Sequence, residues 1–184
     1  MAMPHTLSAG PLRLSRISPA DLDSVVVGVR ASVPQIQPWM EWATDDYALP
    51  HATDWFALSW NGWNAGTAHE FVIYDDASTT FLGCAGLNRI SGHKANLGFW
   101  ISTPHAGRGY CTVAARRLVR AGFEELGLQR IYLEHMVENA ASGRVAEKVG
   151  FQLEGRIRNG HRYQGKPTDV MQYGLVDVSE IRDD

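Results

Sequence analysis

A chain of 184 residues, 45% hydrophobic and 20% charged, has enough material for one domain with a sizeable core, and no repeat, low-complexity tract or linker divides it. A net charge of −3 excludes a protein whose affinity comes from neutralising many phosphates, so nucleic acid is not an expected partner. Cys84 and Cys111 are too few for a secreted disulfide framework, the first residues read as no signal peptide, and no run approaches the ~20 apolar residues of a membrane span; a cytoplasmic protein with no membrane partner is expected.

"LRLSRI" (12–17) alternates apolar and polar residues and predicts a half-buried strand. A helix follows, with Ser18 as N-cap, Pro19 at its first position and Asp21 in its first turn. Residues 34–50 carry prolines and the pair Trp39 and Trp42, predicting an irregular aromatic-rich connection before a helix at 52–63. "EFVIYDDASTTFLGCAGLNRI" reads as a hairpin turning at Asp75, Asp76 and Ser78, and "NLGFWIS" (96–102) as a further strand. The helical spacing of Val113, Ala114, Leu118, Ala121 and Leu126 then runs to Gly127. "RIYLEHMV" predicts a strand, "NAASGRVAEKVG" a short helix closed by Gly150, and "FQLEGRIR" and "DVMQYGLV" the last two strands. This order implies an α/β (α+β) sheet, part antiparallel at its start and part parallel around residues 104–112.

Those residues, "PHAGRGYCT", place Gly107 and Gly109 between a strand and a helix. The first N–H groups of a helix lack internal partners and glycines admit close approach, so the stretch predicts an anion site suited to a pyrophosphate. A P-loop needs G-x-x-x-x-G-K-[ST], and a dinucleotide fold needs a third glycine; "GRGYCT" has neither pattern. Glycines serving only a tight turn into the helix remain the alternative.

"GFWISTPHAGRGYCTVAARRLV", then "QRIYLEHMVENAASGRVAEKVGFQLEGRIR", then "YQGKPTDVMQYGLV" resembles, in that order and spacing, the GNAT acetyltransferase superfamily, and within it the RimJ/RimL-type branch that acetylates ribosomal-protein N termini. The resemblance runs from Leu12 to Val176 and is most specific from Asn139 to Gly155. It implies a GNAT fold over the whole chain: a mixed, splayed, mostly antiparallel sheet of about seven strands with helices on both faces. It also implies acetyl-coenzyme A as co-substrate, no metal, and direct attack by the amine in a ternary complex. A homodimer is compatible with it.

In that family the glycine loop holds the pyrophosphate. Here Pro104 stands where the motif has glutamine or arginine, so main-chain donors from Ala106, Gly107, Arg108, Gly109 and Tyr110 carry the expectation. Arg108 adds a charge or is a solvated loop arginine, and Cys111 beside the loop is a reactive thiol or, as the family suggests, a packing residue. Backbone near Trp100 and Ile101 is expected to face the acetyl carbonyl and the pantetheine arm. Asn139 is expected to contact that arm while capping its helix, and Ser142 to protonate the departing thiolate. His161, just ahead of the "YQG" turn, is the first candidate for general base, with Glu134 and His135 on a neighbouring strand as alternatives acting through water. The seven histidines show no ligand spacing.

For the acceptor, Trp39 and Trp42 are expected to wall a groove and Glu41 to hold the ammonium end. The resemblance favours a protein or peptide amino terminus. A polyamine or antibiotic acceptor, or a module that holds acyl-coenzyme A without turnover, are the alternatives.

Overall fold

The computed structural model describes residues 2–182. β1 (Thr6–Ala9) and β2 (Leu12–Arg16) form a hairpin. β1 was not expected: four residues are too short for a periodic signal, although Leu7 and Ala9 are buried. A single 3₁₀ turn, Pro19–Asp21, leads into α1 (Leu22–Arg30). The Asp21 carboxylate accepts from both the N–H and the hydroxyl of Ser18 at 2.7 Å, so the predicted cap is built as a reciprocal box. One helical turn, α2 (Val33–Ile36), interrupts the irregular segment, and α3 (Leu49–Ala65) begins three residues earlier than the apolar spacing suggested, with Pro50 in its first turn.

The remaining elements are β3 (His69–Asp75), β4 (Phe81–Ser91), β5 (Lys94–Ile101), α4 (Tyr110–Leu126), β6 (Arg130–Met136), α5 (Ala140–Val149), β7 (Gln152–Tyr163) and β8 (Lys166–Leu175). They complete one sheet of eight strands in the order β1-β2-β3-β4-β5-β6-β8-β7, one more than expected. Every neighbouring pair is antiparallel except β5 and β6.

The period-two alternation of the central strands divides the core. Phe71, Ile73, Ala95 and Leu97 pack with Ala114 and Leu118 of α4 on one face. Val72, Cys84 and Trp100 pack with Val25 and Val29 of α1 on the other. Helices therefore lie on both faces of the central strands, while β7 at the edge stays exposed along nearly its whole length.

One irregularity matters most. β5 and β6 pair only at Lys94–Arg130, Ala95–Ile131 and Asn96–Tyr132, after which β5 continues to Ile101 and β6 to Met136 without pairing. β5 stays bonded to β4 and β6 to β8, so the twist of each half-sheet carries the two strands apart. Just below the split, Arg130 of β6 forks onto Glu154 of β7, with N–O distances of 2.6 and 2.5 Å, and Gln172 of β8 donates to the same carboxylate at 2.9 Å. This network staples three strands across β8.

The Arg130 guanidinium and the Gln172 amide hold the Glu154 carboxyl down at about 2. A depressed folded-state pKa contributes stability that is complete above the unfolded value of about 4.3 and is lost as pH falls toward the folded one. The pair is partly exposed and solvent-screened, so Glu154→Gln should lower Tm at pH 7 by only about 2 °C. In thermal melts across pH 7 to 2, that gap should close between about pH 4 and pH 2.

Candidate active site

The loop between β5 and α4 opens with a 3₁₀ turn, Thr103–His105, and then exposes Ala106 through Gly109. Gly107 and Gly109 sit at φ 77° and 79°, where an L side chain is strained, yet a Cβ on either would meet nothing within 4 Å. The space over the loop is open. Among the described residues, no acceptor is bonded to the N–H groups of residues 107–112; the first satisfied amide is Val113, which donates to the Gly109 carbonyl at 3.1 Å. Consecutive unbonded donors at the start of a 17-residue helix form an anion cradle.

Three adjoining cavities meet around Met40 and Phe99. The first, about 390 Å³, runs along the glycine loop to α5, where Asn139, Ser142, Arg144 and Lys148 border it. The second, about 210 Å³, lies in the split and is bordered by Trp39, Glu134, His135, Asn139, Ser142 and His161. The third, about 460 Å³, opens on the α1 and α3 face beneath Trp42, Tyr47, Trp55 and Trp100. Asn139 and Ser142 border both the first and the second.

The Asn139 side chain accepts the Ser142 N–H at 3.2 Å and so caps α5, which fixes the serine at the junction of the two cavities. The Ser142 hydroxyl has no partner among the described residues. Along β5, the Ser102 N–H bonds the Leu82 carbonyl at 2.8 Å. Main-chain groups alternate sides, so Trp100 also spends its amide on β4 while Phe99 and Ile101 turn theirs toward the split. Trp100 reaches the first and third cavities through its side chain instead.

His161 is exposed on β7, beside the second cavity. Glu134 is 26% exposed and lies 3.5 Å from Arg89. His135 is buried and stacked on Tyr173, with Nδ1 2.8 Å from the Met136 carbonyl. A carbonyl only accepts, so Nδ1 carries the hydrogen, and Nε2 is left buried without a partner. The three histidine and glutamate candidates thus border one cavity, as their scattered sequence positions alone did not require. Arg108 stands exposed and borders none of the three cavities. Burial pushes the Cys111 thiol up to about 12, which disfavours its thiolate, and the residue borders the first cavity.

On the acceptor side, Trp39 borders the first two cavities and Trp42 the third, with Trp42 6.2 Å from Trp100 edge-on. Glu41 lies outside all three. Its carboxylate accepts the Gln164 N–H at 2.7 Å, and Tyr163 donates its hydroxyl to the Gln37 carbonyl at 2.7 Å. These bonds tie the β7–β8 turn to the segment between α2 and α3. Several bordering residues escaped the sequence reading. Arg144 and Lys148, four apart on α5, were findable by helical spacing, and Glu70 and Asn88 by the oddity of polar residues on apolar strands. Among the described residues no cluster of metal-ligating side chains occurs, and no helix is long and apolar enough to cross a membrane.

This geometry agrees with comparison to known proteins. Residues 11–152 match the model of the Acetyltransferase (GNAT) domain. YdaF of Bacillus subtilis (strain 168), provisionally named a ribosomal N-acetyltransferase, is 28% identical over 167 residues, covering 87% of this chain and 88% of YdaF. The ribosomal-protein-serine acetyltransferase of Escherichia coli (strain K12) is 27% identical over 113 residues, 60% of this chain and 62% of that protein. Among solved structures, RimL, a ribosomal L7/L12 α-N-protein acetyltransferase in complex with coenzyme A, superposes with a TM-score of 0.85 at 18% identity over 97% of this chain and 99% of its own, a likeness of fold. With the family model spanning most of the sequence, the chain belongs to the GNAT acetyltransferase family and is an N-acetyltransferase.

Proposed function

We propose that the chain transfers an acetyl group from acetyl-coenzyme A to the α-amino group of a protein or peptide, as one catalytic unit. The carrying observation is the sheet split: an anion cradle lies on one side and an aromatic chamber on the other, and an unpartnered serine hydroxyl stands where the cradle's cavity meets the split. The family's acetyl donor is acetyl-coenzyme A, which supplies the activated thioester. The donor-rich loop fits its diphosphate: the amides of residues 107–112 converge on open space, and Arg144 and Lys148 offer positive charge across the same cavity. In this reading Asn139 and the outward main chain of Phe99 and Ile101 orient the pantetheine arm and the acetyl carbonyl. Ser142 delivers a proton to the leaving sulfur.

His161 takes the proton from the amine. Of the three candidates it is the exposed one, free of the Arg89 contact that engages Glu134 and of the burial that closes Nε2 of His135. The acceptor class follows from acidity. An α-amine near pKa 7.7–8.0 is deprotonated at pH 7 for about 3.5 kcal/mol less than a lysine near 10.4, so an exposed, ordinary base suffices. The names of YdaF and RimL support a ribosomal protein as the bearer of that amine.

Coenzyme A at about 100 times its Kd should stabilise the chain by about 2.7 kcal/mol in a thermal-shift titration. Gly109→Val should abolish that shift, because a β-branched side chain both strains the left-handed turn and fills the cradle. Unchanged stabilisation in the variant would place the diphosphate elsewhere. For the base, His161→Ala should reduce kcat about 100-fold while the coenzyme A shift stays at the wild-type value; equal turnover would remove His161 from the mechanism. Mass spectrometry of peptides incubated with acetyl-coenzyme A should find the acetyl group on the amino terminus and not on internal lysines.

A further inference from the structure

The third cavity holds a charged group that acetyl transfer does not use. Glu70 of β3 is in register with Gly86 of β4, and Gly86 with Gly98 of β5. A Cβ on Gly86 would collide with the Glu70 carboxyl, and one on Gly98 would press on the Asn88 amide at 3.3 Å. The carboxyl therefore leans over Gly86 on the side of Gly98, about one strand spacing, ~5 Å, away, with only the Asn88 amide reaching between them. Gly98 borders both the second and the third cavities.

Glu70 is half-buried, and a carboxyl drawn into a fold for structure alone is ordinarily paired with a cation. Glu70 has only the Asn88 amide, which donates to Oε1 at 3.3 Å; Oε2 has no donor among the described residues. Burial raises its pKa above the ordinary carboxylate range, a cost that a cation in the cavity would offset. Asp54 and His51 stand on the same wall as Trp55, and no lysine or arginine borders the cavity among the described residues. Aromatic faces beside a carboxylate are the surroundings in which ammonium and guanidinium groups are held.

We propose that the third cavity receives a second, positively charged group of the acceptor, seated between the Glu70 carboxylate and the faces of Trp42, Tyr47, Trp55 and Trp100 while the amine to be acetylated lies at the split. The acceptor class is then a primary amine carrying a guanidinium or ammonium a side chain's length away, as an arginine at a peptide's first position presents. This rests on the reading of the chain as an N-acetyltransferase whose acceptor enters from the α1 and α3 face.

Isothermal titration in the presence of coenzyme A tests it without requiring turnover. The probes are the tripeptide amide Arg-Gly-Gly, its isosteric neutral counterpart with citrulline in place of arginine, and agmatine, a small amine bearing a guanidinium. The wild-type chain should bind the arginine peptide at least about tenfold more tightly than the citrulline peptide, and Glu70→Gln should erase the difference while keeping the wild-type melting temperature. Equal affinity of the two peptides for the wild type overturns the proposal by itself, whatever the variant does. So does a preference that survives in Glu70→Gln, or an absence of binding by all three probes. Glu70-dependent binding of agmatine alone keeps the cation site and removes the peptide acceptor. Acetylation of an Ala-Gly-Gly amide at the same rate as the arginine peptide keeps the enzyme reading and removes the cation site.

Discussion

The early end of the ladder between β5 and β6 is the constraint on which the rest of the structure depends. Three residue pairs hold the parallel strands together, and beyond Asn96 and Tyr132 each follows its own half-sheet. A fully zipped sheet would bury the outward main chain of Phe99 and Ile101 in hydrogen bonds and leave no gap in which two substrates could meet. The Arg130–Glu154 fork sits on the paired side of that boundary, so the strand that opens is anchored where it is still closed.

The two sides of the gap carry opposite electrostatic characters. On the α5 side, amides at a helix start, Arg144 and Lys148 present positive potential. On the α1 and α3 side, Glu70 and Asp54 stand among aromatic rings with no bordering cation among the described residues. Under the proposed acceptor, a polyanionic donor and a cationic acceptor would be sorted to different faces before they react, which would lower the chance of either occupying the other's place. Ser142 and Asn139 mark the border between the cradle's cavity and the split.

Much of this was legible in the sequence because it was written in local terms. Glycines before a helix, Asn139 ahead of an apolar run, and alternation in "NLGFWIS" each report on their own surroundings, and the loop, the cap and the strand all lie where those residues put them. What was hidden depends on pairing between distant segments. β1 earns its place only by bonding β2, and Glu41 looked like a ligand for an ammonium because its neighbours are tryptophans, whereas its partner is the amide of Gln164 more than a hundred residues away. The amide directions of Phe99, Trp100 and Ile101 follow from which β4 residue each faces, and no spacing in one strand contains that. Glu70 was visible as a lone acid among apolar strand residues, but the two glycines toward which it leans belong to other strands.

The turn between β7 and β8 has Gln164 and Gly165 in the left-handed region, the backbone of a two-residue hairpin that closes tightly. Through Tyr163 and Gln164 it grips residues 37 and 41, which lie between β2 and β3 in the chain. Segments more than a hundred residues apart are thus latched to each other by two hydrogen bonds, and loosening this turn would free residues 37–41 while leaving the glycine loop untouched.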